Sequence, residues 1–124
     1  MRGKSVRAWF TFCICTTLVL VTIRQLQAHA ILVEASPKSG STVSGPNIPI
    51  RLRFNVRVDG GRSRIAIATA SQGKPNALSL DKQTTPDVLT ANAPGLSAGQ
   101  YKLQWQVLAA DGHITRGEIS FTVN

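Results

Sequence analysis

An all-β sandwich or barrel is the fold class this sequence predicts. Ile50, Leu52, Phe54, Val56 and Val58 alternate with Arg51, Arg53, Asn55 and Arg57, the period-two pattern of a half-buried strand. Tyr101, Leu103, Trp105 and Val107 alternate with Lys102, Gln104 and Gln106 in the same way, and Ile119, Phe121 and Val123 with Glu118, Ser120 and Thr122. Clusters of Gly, Pro, Ser and Asn separate these runs at short intervals, and no ten-residue window carries a helical stripe.

Taken in order, the chain opens on material unlike a folded domain. Arg2, Lys4 and Arg7 precede an uncharged run from Ala8 to Ile23, and Arg24-Gln25-Leu26-Gln27-Ala28 follows. Charged start, apolar centre and small-residue end are the order of a cleaved secretory signal. A membrane anchor needs about 18 or more apolar residues; this run is shorter and holds four threonines. Two cleavage positions compete. Ala28-His29-Ala30 would release a chain beginning at Ile31, and Leu26-Gln27-Ala28 one beginning at His29; the small-x-small pattern alone favours the first.

Removing residues 1–28 takes away Cys13, Cys15 and Met1, the only sulfur-bearing residues. The remaining 29–124 is a single β domain that must be stable without a disulfide, which its size permits. Thiolate metal sites and redox motifs are excluded from it. Four of the 14 basic residues leave with the leader, so ten stand against six acidic ones, a formal charge of +4.

Along the domain, Ile31 to Val33 is a short apolar run before the turn cluster Ser36-Pro37-Lys38-Ser39-Gly40, and Ser44 to Pro49 is a second loop. The nine-residue strand Ile50–Val58 places Arg51, Arg53 and Arg57 on one solvated face, and Asp59-Gly60-Gly61 closes it as a turn. Arg64–Thr69 is another strand; Leu78–Leu80 and Val88–Ala91 are weaker ones before the final hairpin. The four aromatics of the domain, Phe54, Tyr101, Trp105 and Phe121, lie on the apolar sides of their strands and are assigned to the core. That leaves no aromatic platform on which bases or sugars could stack, which argues against nucleic-acid binding.

The final hairpin carries Asp111-Gly112-His113 between its strands. In an extended backbone residues two apart point the same way, so a carboxylate and an imidazole would converge there. The only other histidine is His29. Cut before His29, the chain offers an α-amine and an imidazole from one residue, a third nitrogen from His113 and an oxygen from Asp111. That N/O set suits Cu(II) or Ni(II) better than tetrahedral zinc. Taken singly, a loop Asp-Gly is commonly just a turn and a surface histidine is commonly solvated.

The two ends of the domain together resemble a known family. His29-Ala30-Ile31-Leu32-Val33-Glu34-Ala35-Ser36-Pro37-Lys38-Ser39-Gly40 is similar to the H-A-x-L-x-x-S-x-P-x-x-G opening of periplasmic CopC-type copper-resistance proteins. Ile50–Val58 resembles their early strand and Leu96 to Tyr101 their L-x-x-G-x-Y entry. Trp105 to His113 resembles their W-x-V-x-S-x-D-G-H signature with Ala109 in place of the serine, and Gly117 and Phe121 continue it. The resemblance implies a Greek-key β-barrel or sandwich of cupredoxin-like or immunoglobulin-like appearance. It implies one Cu(II) per monomer at His29, Asp111 and His113, and hence cleavage before His29. Two departures matter. The acidic residue that many relatives carry after the early strand's phenylalanine is missing from Phe54-Asn55-Val56-Arg57, and no methionine-rich Cu(I) loop is present.

The function so implied is a non-enzymatic periplasmic copper carrier or buffer, a monomer, passing copper to an inner-membrane copper transport protein. Two alternatives belong to other classes. One is a copper-dependent oxidase or monooxygenase with an N-terminal-histidine site. The other is a metal-free β-sandwich interaction module.

Overall fold

The computed structural model describes residues 29–71 and 73–124; the expected signal segment, 1–28, lies outside them. The elements are β1 (Leu32–Ser36), β2 (Thr42–Val43), β3 (Ile48–Phe54), β4 (Val58–Thr69), β5 (Asn76–Leu78), β6 (Val88–Ala93), β7 (Gly99–Ala109) and β8 (Ile114–Val123). They form two sheets, β1-β3-β6 and β2-β8-β7-β4-β5, antiparallel throughout except for the short β2–β8 pairing. The all-β prediction holds.

Each sheet turns its apolar alternation inward. Ile48, Ile50, Leu52 and Phe54 of β3 are buried, as are Tyr101, Leu103, Trp105, Val107 and Ala109 of β7. The four aromatics assigned to the core are all in it. Tyr101 stacks on Phe121 at 5.9 Å and its hydroxyl donates to the Ser97 carbonyl at 2.7 Å, so its polar end is satisfied where the core meets the loop. Trp105 stands opposite Gly117 in the β7–β8 ladder. A Cβ at Gly117 would overlap the indole, so the glycine is the seat on which Trp105 lies.

Three expectations need correcting. The nine-residue strand stops at Phe54, because Asn55 turns to the N-terminal segment: its N–H donates to the Ile31 carbonyl and its Oδ1 accepts from the Ile31 N–H. Arg57 therefore leaves the arginine face. On what remains of it, Arg51 and Arg53 both clamp Glu34 of β1, at 3.0 and 3.1 Å. Asp59-Gly60-Gly61 is not a turn either. It is an irregularity inside β4, where the register to β7 slips between Asp59 and Arg64. Side chains stand in for the lost ladder there: Gln83 accepts from the Gly60 N–H, and Ser63 Oγ accepts from the Leu108 N–H. Finally, β8 begins at Ile114, four residues earlier than the alternation from Glu118 implied, so the hairpin runs almost to the Asp-Gly-His loop.

Candidate metal centre

The loop between β7 and β8 is closed by its own backbone. The Ala109 N–H donates to the His113 carbonyl at 2.8 Å, and the Gly112 N–H to the Ala109 carbonyl at 2.9 Å. Gly112 has φ of +87°, a conformation glycine adopts without a Cβ penalty. The Ala110 N–H donates to the Arg57 carbonyl, pinning the loop to the segment between β3 and β4. The backbone is thus a tight turn rather than extended, and the alternation argument for convergence of Asp111 and His113 does not apply. They converge for another reason: Asp111 Oδ1 accepts the His113 backbone N–H at 3.0 Å, and Oδ2 lies 3.2 Å from His113 Nδ1. This is an Asx-type turn in which the second carboxylate oxygen meets the imidazole.

His29 reaches the same end of the sandwich from the other sheet. Ala30 is 1% exposed, fixed in the core immediately after His29. One residue further, Ile31 is held by both bonds to Asn55. The His29 and His113 rings then sit 5.4 Å apart between centroids at an interplanar angle of 73°. Asn55 is the residue that sequence reasoning missed. Its signal was present as an asparagine on the polar side of an otherwise arginine-bearing strand.

The electrostatics follow from this geometry. The Asp111 carboxyl is held below its usual range, chiefly by the His113 backbone N–H. Partial desolvation opposes that, while the His113 side-chain bond and the charges of His113 and His29 add to it. Asp111 therefore stays ionised to lower pH than an ordinary carboxylate. The site is open: the His113 side chain is 44% exposed and that of Asp111 25%. A separate depression of about 480 Å³ lies on the outer face of the large sheet, between Arg64, Gln104, Arg116 and Glu118, and neither histidine lines it.

The spacing of the rings can be tested against a shared ion. At metal–nitrogen distances of about 2.0 Å, two imidazole centroids on one ion lie about 4.4 Å apart at right angles and about 6 Å apart in line. The observed 5.4 Å falls between these limits. Among the described residues no three His, Cys, Asp or Glu side chains are already gathered to metal-binding geometry. Nδ1 of His113 is engaged with Asp111, so ligation there would require one of the two side chains to turn.

Comparison with known proteins gives a consistent picture. The chain is 29% identical over 121 residues to copper resistance protein C of Xanthomonas campestris pv. juglandis, covering 89% of this chain and 94% of that protein. It is 24% identical over 98 residues to the copper transport protein CutJ of Bacillus subtilis, covering 77% of this chain but only 18% of that one. Among solved structures, CopC from Methylosinus trichosporium OB3b superposes with a TM-score of 0.69 at 36% identity, covering 77% of this chain and 94% of the other. The family model described as the CopC domain matches residues 32–124, from the start of β1 to the last residue, and the chain belongs to the CopC domain family.

Proposed function

We propose that the protein is a periplasmic Cu(II) carrier or buffer, non-enzymatic, released by cleavage before His29 and binding one Cu(II) per monomer through His29, Asp111 and His113. The observation that carries this reading is the approach of the two imidazoles to 5.4 Å with the Asp111 carboxylate against one of them. Cleavage adds the α-amine of His29, giving three nitrogens and one carboxylate oxygen, a donor set matched to Cu(II). Residues 29–124 contain no cysteine or methionine, so nothing soft is present to favour Cu(I).

The names of the relatives support copper as the cargo, for resistance in one and transport in the other. In CutJ the matching stretch is a small part of a longer transport protein. That supports delivery of copper from this domain to a membrane copper transport protein, here acting as a separate monomer. An open site suits such a handover, since a partner can meet the metal without the domain unfolding. Burial of all four aromatics removes a stacking surface for a polysaccharide substrate and favours carriage over oxygenase chemistry.

Competition titration of protein beginning at His29 tests the reading. One tight Cu(II) per monomer is expected, with weak Cu(I) binding. His113→Ala and acetylation of the His29 α-amine should each weaken Cu(II) binding severely. A chain that binds Cu(II) as tightly after acetylation would contradict this ligand set, and a comparably tight cuprous site would contradict the selectivity.

A further inference from the structure

Among the described residues, one buried side-chain polar atom has no hydrogen-bond partner: Oγ1 of Thr115. Its position is informative. Odd-numbered residues of β8 face the core, Phe121 and Val123 fully and Thr115, Gly117 and Ile119 in part. Thr115 is thus the first inward residue after the Asp-Gly-His loop, opposite the fully buried Val107. The Ala109 N–H to His113 carbonyl bond carries the β7–β8 ladder out to His113, so Thr115 follows His113 on the inward side of the hairpin, about 6.6 Å further along the strand. A valine of nearly the same shape would serve packing there without an unpaired hydroxyl.

We propose that Thr115 is a positioning residue of the metal centre: its hydroxyl bonds a polar group that appears only on processing or on copper loading. Two groups have that chemistry, the N–H of the His29 α-amine and a water held at the site. Either would satisfy Oγ1 and fix the orientation of the ligands above it, as outer hydrogen-bond partners of metal ligands do. The inference rests on the Cu(II) reading of His29, Asp111 and His113.

The test compares wild type, Thr115→Val and Thr115→Ser, all beginning at His29, with Cu(II) as the probe. Three readouts are needed: Cu(II) competition affinity, electron paramagnetic resonance of the loaded form, and urea unfolding of the metal-free form. If the partner is a water of the loaded site, Thr115→Val should resist urea better than wild type when metal-free, because it removes an unsatisfied buried hydroxyl; if it is the α-amine, already present, Thr115→Val should gain nothing. The same variant should bind Cu(II) about tenfold more weakly and show altered copper hyperfine values. Thr115→Ser should restore the wild-type spectrum. Deuteron couplings in heavy water that vanish in Thr115→Val identify a site water as the partner; altered amine nitrogen couplings identify the α-amine. If Thr115→Val binds Cu(II) with wild-type affinity and spectrum, the hydroxyl has no part in the centre and the inference fails while the Cu(II) reading stands. If wild type itself binds no Cu(II), both fail.

Discussion

Asn55 shows how a single side chain can anchor the segment that carries a proposed ligand. Its Oδ1 holds the Ile31 N–H at 2.7 Å, two residues after His29. Asn55→Ala removes that bond and leaves the backbone bond to the Ile31 carbonyl. A hydrogen bond of this kind is worth about 1 kcal/mol, or about fivefold in an equilibrium constant. We expect urea stability to fall by about that amount, and Cu(II) affinity, measured by competition titration, to fall with it because the segment carrying His29 is less firmly placed. Asp111 gives a prediction in pH. Its folded carboxyl titrates lower than in the unfolded chain, so the turn it holds gains stability above the ordinary carboxylate range and loses it as pH falls through the lowered value. Copper held by the proposed nitrogen ligands is expected to leave at higher pH, because protons compete for those nitrogens. Asp111→Asn should weaken Cu(II) binding without changing the number of protons taken up on release in mild acid, whereas His113→Ala should remove one. Affinities measured across pH for both variants check this.

At the scale of elements, the β7–β8 hairpin is the frame of the site, and its two glycines hold separate functions. Gly112 is left-handed in the loop, where alanine would be strained by about 1–2 kcal/mol. Gly112→Ala should lower both urea stability and Cu(II) affinity, because the strain falls on the turn that presents Asp111 and His113. Gly117 lies under Trp105. Gly117→Ala should destabilise by roughly 1–3 kcal/mol through overpacking, read as a lowered urea midpoint. The strands themselves were largely legible in the sequence, since β3, β7 and β8 bury alternate residues and alternation is a local signal. The end of β3 was not legible, because Asn55 continues the alternation in pattern but turns away for a partner 24 residues earlier. The glycines of β4 were read as a turn for a similar reason: the bonds of Gln83 and Ser63 that keep that stretch in the sheet come from distant chain.

For the whole molecule, the sandwich does one thing that no segment does alone. It brings His29, delivered by the small sheet, to the loop of the last hairpin, delivered by the large one. His29 and His113 are 84 positions apart in sequence and 5.4 Å apart between rings. The candidate donors could be named from residue types and from family resemblance, but the Asx turn that orients Asp111 and the Asn55 clamp depend on the folded chain. The account requires that the chain be cut between Ala28 and His29, because the α-amine exists only then. Intact mass of the exported protein after Cu(II) loading, taken under non-denaturing conditions, reads the terminus and the stoichiometry together. The account predicts a chain of residues 29–124 carrying one copper; a chain beginning at Ile31, or one beginning at His29 that retains no copper, would contradict it.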